Sequence, residues 1–268
     1  MKYRLFVSDF DGTLGKAPDV IEPETVEAVK EYQKKGGIFA ICTGRMFASI
    51  RPICLQYGIK GLVISYQGAM INDIETGKAV FSGGIDYELA AEAAEFLEGR
   101  QNVAVLADID DVMHIEKPSP YTDYYQQACR VKGVCVGKLS EYIRREKKKV
   151  LKVGGICERP LADRLTAELN GIYKDKLAIN NGAPMFVEIV SRECDKKFSV
   201  EFLAKHYGVP YDSVIAVGDS TNDIELLSGP WHGVAVGDAR EELKAVAKEI
   251  TVPYKDRPVE YLLKKYCL

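Results

Sequence analysis

The chain has 268 residues, 47% of them hydrophobic, enough for one large domain or for a core that carries a second, smaller one. Its 36 Lys+Arg against 39 Asp+Glu leave a net charge of −3, so the surface offers no global attraction to nucleic acid or to an anionic membrane. No stretch approaches the ~20 apolar residues of a membrane span, and the apolar run Leu5-Phe6-Val7 is too short for a signal peptide.

Tyr3 to Val7 reads as a buried strand that enters a loop from Asp9 to Pro18. Glu22 to Lys35 has helical period, with Pro23 in its first turn, Val26 and Val29 on one side, and Gly36-Gly37 as its stop. Gly37 to Cys42 is a second strand, Thr43-Gly44-Arg45 leaves it for a helix ending near Gly58, and Gly61 to Ser65 is a third strand. This alternation of helices with continuous apolar strands predicts a parallel sheet covered on both faces.

The middle of the chain reads differently. A helix from Tyr87 to Leu97 is followed by a strand from Val103 to Ala107, a turn at Asp110-Asp111, and strands near Val112 to Glu116 and Val150 to Ile156. Arg159 to Leu169 is a second helix. The basic run Arg144, Arg145 and Lys147 to Lys149 has no interleaved aromatics, so it reads as the solvated face of a helix and not as a nucleic-acid contact.

The first pattern returns with the helix Phe198 to His206, the strand Ser213 to Val217, the helix Asp223 to Leu227, the strand Gly233 to Val236 and the helix Glu241 to Lys248. The expected fold is therefore α/β: a Rossmann-like, doubly wound parallel sheet built from residues 1–83 and 187–268, with 84–186 inserted as an α+β domain. The seven cysteines are odd in number, form no C-x-x-C pair and often sit in apolar surroundings, which predicts free thiols and a cytoplasmic protein. The three histidines have no zinc-ligand spacing.

Four segments carry chemistry. In Ser8-Asp9-Phe10-Asp11-Gly12-Thr13-Leu14, two carboxylates two residues apart follow an apolar strand and point the same way while the chain stays extended. They fall at the carboxyl end of that strand, where open parallel sheets bind ligands. Two close anions gain nothing there unless a cation or a proton offsets their repulsion. Ile215-Ala216-Val217-Gly218-Asp219-Ser220-Thr221-Asn222-Asp223 repeats the design at a second strand end. Taken alone, Asp219 or Ser220 could be a helix cap and Asp223 a complement to the helix dipole. An all-oxygen donor set with spare positions suits Mg²⁺. Thr43-Gly44 offers a hydroxyl and open backbone N–H groups to a phosphate, and Lys196-Lys197 places a lysine pair just before a helix.

Together these segments resemble the haloacid dehalogenase-like phosphatases, and the order of motifs with a long insertion between Thr43 and Lys196 resembles the Cof-type subfamily with its α+β cap. The first segment is similar to the family's D-x-D-G-T motif and the second to its G-D-x-x-N-D motif. The resemblance implies a phosphoric monoester hydrolase acting on a small phosphorylated metabolite, a sugar phosphate or a phosphorylated cofactor, through an aspartyl-phosphate. Asp9 is then the nucleophile and Asp11 the general acid and base. Mg²⁺ is held by the Asp9 carboxylate, the Asp11 backbone carbonyl and Asp219, with Asn222 and Asp223 in support. Thr43, Gly44 and Lys196 bind the phosphate. The chain departs from the family pattern at Gln67 and Asp238, where Asn is usual, and Lys197 stands where Gly is common, which leaves the lysine register open between 196 and 197. A phosphomutase or other phosphotransferase would use the same aspartate. A phospho-receiver signalling module would need neither Asp11 nor a cap.

Overall fold

In a computed structural model the described residues are 1–16, 19–181 and 185–268; Pro18, the end of the expected first loop, lies outside them. In chain order, β1 (Leu5–Ser8), α1 (Pro23–Lys34), β2 (Ile38–Cys42), α2 (Phe47–Tyr57), β3 (Leu62–Ser65), β4 (Met70–Asp73) and β5 (Ala79–Ser82) open the fold. They are followed by α3 (Tyr87–Glu98), β6 (Ala104–Ile109), β7 (Val112–Ile115), α4 (Pro120–Cys129), β8 (Val134–Cys135) and α5 (Leu139–Glu146). Then come β9 (Lys152–Ile156), α6 (Arg159–Tyr173), β10 (Leu177–Asn180) and β11 (Phe186–Ser191). The chain closes with α7 (Lys196–Tyr207), β12 (Val214–Gly218), α8 (Ile224–Leu227), β13 (His232–Ala235), α9 (Glu241–Lys244), β14 (Glu249–Ile250) and α10 (Pro258–Tyr266).

The chain divides into two compact units, one of residues 1–44, 50–81 and 195–268, the other of 45–49 and 82–194. The first holds an eight-stranded sheet in the order β14-β13-β12-β1-β2-β3-β4-β5. β14 through β3 pair in parallel, and β4 turns back antiparallel on β3. From β1 the chain winds outward through β2 and β3, and from β12 it winds the other way through β13 and β14. The carboxyl ends of β1 and β12 thus flank the point where the winding reverses, the crevice in which such sheets bind ligands. Every residue of β1 and β12 is buried, the signature of strands covered on both faces.

The second unit holds a six-stranded sheet, β10-β11-β9-β6-β7-β8, antiparallel except for β7 with β8. Alternate residues Val105, Ala107 and Ile109 of β6 join Val153, Val187 and Ile189 in one apolar core with Ala90, Ala94 and Leu97 of α3 and Leu165 and Leu169 of α6. The turn at Asp110-Asp111 has φ of 53° and 62°, the left-handed pair of a two-residue hairpin. The basic run lies partly on α5, where Arg144 pairs with Glu95 at 2.7 Å, and partly beyond it, where Lys148 pairs with Asp110 at 2.7 Å.

Three expectations need correction. The boundary at 186/187 would cut β11, which pairs with both β9 and β10 and so extends the second unit to Cys194. The helix expected over Glu241 to Lys248 stops at Lys244, because the chain is already turning toward β14. Asp223 to Leu227 is divided: a 3₁₀ turn covers Thr221–Asp223 and the α-helix begins at Ile224.

Candidate active site

β1 delivers Asp9 directly into the crevice. Its backbone N–H still donates to Val217 O at 2.9 Å, so the ladder with β12 continues to the first carboxylate before the chain turns. Leu14 and Gly15 N–H both donate to Phe10 O, closing that turn around a buried Phe10 and leaving the Asp11 side chain exposed. Gly12 has a φ of +85°, and a Cβ there would stand 2.6 Å from Asp219 Oδ2. Only glycine lets the β1 loop pass so close to the second carboxylate. Thr13 Oγ1 donates to Asp219 Oδ1 at 3.0 Å and fixes its orientation.

β12 supplies the other half. After Gly218 the chain presents Asp219, and Ser220 caps the short turn that follows. Asp223 folds back into this turn: its Oδ2 accepts from both Asp219 N and Ser220 N at 3.1 Å. The Asp223 carboxylate therefore shapes the loop that presents Asp219, and one oxygen remains to face the crevice.

That oxygen meets Lys196. At the start of α7, whose cap Asp195 accepts from Phe198 N at 2.7 Å, a lysine is poorly placed for the helix dipole. Other partners offset this: Lys196 Nζ lies 2.6 Å from Asp9 Oδ1, 2.6 Å from Asp223 Oδ1 and 3.2 Å from Cys42 O. Lys196 is buried and Lys197 half-buried, so 196 is the register that reaches the crevice. Burial alone would lower the Lys196 pKa, but Asp223 and Asp9 outweigh it and hold the ammonium charged.

One oxygen from each of Asp9, Asp219 and Asp223 lies within 4.8 Å of the others. Burial pushes the Asp9 carboxyl well above its ordinary range, Asp223 adds to this, and Lys196 opposes it. Asp219 rises to about 6, again through burial first and Asp223 second, with Thr13 and Lys196 opposing and Asp11 contributing. Three crowded carboxylates facing one ammonium form an all-oxygen set that could hold a hard divalent cation.

β2 brings up the remaining segment. The Cys42 carbonyl is the third acceptor of Lys196, and Thr43, buried, follows at once. Thr43 N donates to Ile64 O at 2.9 Å and Thr43 O accepts from Gln67 N at 3.1 Å, so the loop is pinned by β3 and the turn after it. Burial drives the Cys42 thiol far above its ordinary pKa, which makes it an inert neighbour. Asn222 Nδ2 reaches Gln67 Oε1 at 3.5 Å. Of the two family departures, Gln67 thus lies among the site residues. Asp238 is exposed and accepts from Tyr254 N at 2.9 Å, holding its own loop.

The second unit contains a polar group that motif reading missed. Asp108 and Lys152 are cross-strand partners on β6 and β9, on the sheet face opposite the core residues Ala107 and Val153. Lys152 Nζ lies 3.3 Å from Asp108 Oδ2, 3.7 Å from Glu188 Oε1 and 2.8 Å from Tyr125 Oη. The one signal for it in the sequence is a lone aspartate inside the apolar run Ala104–Ile109.

Residues 6–263 match the family described as haloacid dehalogenase-like hydrolase. Phosphatase YwpJ of Bacillus subtilis is 26% identical, the match covering 97% of this chain and 99% of that protein. The 5-amino-6-(5-phospho-D-ribitylamino)uracil phosphatase YitU of the same organism is 24% identical over 98% of this chain and 97% of its own. A crystal structure of a Thermotoga maritima protein superimposes with a TM-score of 0.85 at 26% identity, covering 98% of this chain and 97% of that one.

Proposed function

Because the chain belongs to the haloacid dehalogenase-like hydrolases, we propose that it is a Mg²⁺-dependent phosphatase that hydrolyses a small-metabolite phosphomonoester through an aspartyl-phosphate on Asp9. The observation that carries this reading is the pairing of a buried Lys196 with Asp9 at 2.6 Å beside two further carboxylates. A carboxylate nucleophile must approach an anionic phosphate, and the site assembles positive charge at that meeting point.

Asp9, Asp219 and the Asp11 backbone carbonyl would hold Mg²⁺, with Asp223 and Asn222 shaping the loop behind them. The bound cation supplies charge that lets carboxylate and phosphate come together and stabilises charge developing on the phosphoryl oxygens. The protein's own groups do the rest. Lys196 favours the ionised form of Asp9 and aims it, and its ammonium, the Thr43 hydroxyl and the Gly44 N–H donate to phosphate oxygens. An Asp9 oxygen forms a bond to phosphorus as the bond to the leaving oxygen breaks. Asp11, exposed at the mouth of the loop, gives that oxygen its proton. Asp11 then takes a proton from the water that attacks the acyl-phosphate, which restores the Asp9 carboxylate and releases inorganic phosphate.

The second unit would serve as an α+β cap that selects the leaving group, and a sugar phosphate or phosphorylated cofactor is the expected substrate class. The named activity of YitU, on a phosphorylated ribityl chain, supports that class. Buried free thiols such as Cys42, Cys54 and Cys157 support a cytoplasmic location.

The test is inorganic phosphate release from an aryl phosphate and a panel of metabolite phosphates, before and after chelation. Release abolished by chelator and restored by Mg²⁺ is the expected result. Release indifferent to chelator, or phosphate transferred only to a second substrate molecule, would overturn the reading.

A further inference from the structure

The turn after β3 is held in a conformation its sequence does not favour. Tyr66, Gln67 and Gly68 follow one another with φ of 53°, 57° and 120°. Two of the three are not glycine, and side chains resist the left-handed region. Such a conformation persists only where the surroundings over-determine it, and it concentrates at functional sites.

The surroundings here are the segments that build the crevice. Gln67 N–H donates to Thr43 O at 3.1 Å. A Cβ added to Gly44 would collide with Gln67 Nε2, so the carboxamide lies directly against the phosphate loop. Its other end, Oε1, accepts from Asn222 Nδ2 at 3.5 Å, in the turn whose last residue is Asp223. A Cβ on Gly68 would run into the carbonyl of Asp195, the residue before Lys196, and Ser199 Oγ donates to Gly68 O at 3.4 Å.

We propose that Gln67 is a positioning residue: its carboxamide spans from Gly44 to Asn222 and sets the spacing between the phosphate loop and the metal-supporting loop. The proposal rests on the phosphatase reading above. The shorter Asn usual in the family would have one methylene fewer with which to reach Asn222 from the same backbone position. The strained turn is the cost of aiming this amide, and the amide acts through its neighbours, touching no reacting atom itself.

The test uses Mg²⁺ binding to the metal-free full chain, followed by calorimetry, alongside turnover of an aryl phosphate. Two single variants, Gln67→Leu and Gln67→Gly, remove the amide, and Gln67→Gly also relieves the left-handed backbone. Both are expected to weaken Mg²⁺ binding about 10- to 100-fold, the scale for partners standing behind metal ligands. Gln67→Gly should do so with an unfolding temperature no lower than wild type, a split that a purely structural role would not produce. Asn222→Ala should weaken binding as well, and Gln67→Gly with Asn222→Ala should be no worse than the poorer single variant, within about twofold.

Losses that multiply in the double variant would overturn the proposal, as would unchanged Mg²⁺ binding in either Gln67 variant. A wild-type chain that binds no Mg²⁺ and releases no phosphate would remove the phosphatase reading, and this proposal with it. Normal wild-type binding with unaffected variants overturns the proposal alone.

Discussion

Lys196 Nζ stands 2.6 Å from Asp9 Oδ1 with both side chains buried, at a point where the unit has gathered two more carboxylates. The ammonium is the counter-charge that opposes the upward shift burial imposes on the Asp9 carboxyl. Lys196→Met keeps the side chain's bulk and removes the charge, leaving Asp9 and Asp223 buried without it. Breaking a buried pair from one side costs about 3–5 kcal/mol. Urea unfolding of the metal-free variant should show a loss of that order, and millimolar Mg²⁺ should recover part of it. Unaltered stability would mean that Lys196 is not the charge that holds the crevice together.

Asp9→Asn should separate stability from function. Burial and the neighbouring Asp223 push the Asp9 carboxyl above its usual range, and Lys196 opposes them. A neutral amide relieves the repulsion from Asp223 but also removes one charge of the buried pair. Because Lys196 keeps Asp223 at 2.6 Å as counter-charge, the metal-free variant should lose less stability than Lys196→Met. Under the proposed mechanism turnover should vanish, since the proposed nucleophile and a proposed metal ligand are lost together. Mg²⁺-dependent hydrolysis that persists in the variant would exclude Asp9 as the nucleophile.

Asp11→Asn should discriminate among leaving groups. A general acid contributes about 10²–10⁴-fold where the departing oxygen needs a proton, and far less where it leaves readily as a phenolate. The variant should therefore lose more kcat/KM on an alkyl phosphate than on a nitrophenyl phosphate. Matching losses on the two would argue that the exposed Asp11 does not protonate the leaving oxygen.

The parts of this candidate site whose placement was legible in the sequence are those that stand at a strand end. Asp9, Asp219 and Thr43 each follow a continuous apolar run, and such runs in a parallel sheet end on one edge. The lysine register could not be read, because Lys196 and Lys197 are equivalent until the Asp195 cap sets where α7 begins. Gln67 was visible only as a departure from a family pattern; its place beside Gly44 depends on a left-handed backbone that no propensity announces. Helix α4 went unread although Ser119 and Thr122 form a capping box ahead of it, with Pro120 in the first turn. Its apolar positions are too few for the helical period to stand out. The Asp108–Lys152 pair was beyond reach for a topological reason: antiparallel pairing of β6 with β9 unites two strands separated by α4 and α5.

That pair carries a pH dependence of its own. Burial raises the Asp108 carboxyl from 3.8 to about 6, with Lys152 opposing and Asp111 and Glu188 adding to the rise. The folded state therefore binds this proton more tightly than the unfolded chain. Stability from protonated Asp108 is complete below 3.8, fades as pH rises, and is gone above about 6. A gap of roughly two pKa units corresponds to at most about 3 kcal/mol. Asp108→Asn is neutral throughout, so its stability relative to wild type should climb by up to that amount between about pH 4 and pH 7. Comparing the two proteins removes the other carboxylates that titrate in the same window. Urea unfolding of both across this range tests it, and a difference that stays constant with pH would show that burial does not control the proton on Asp108.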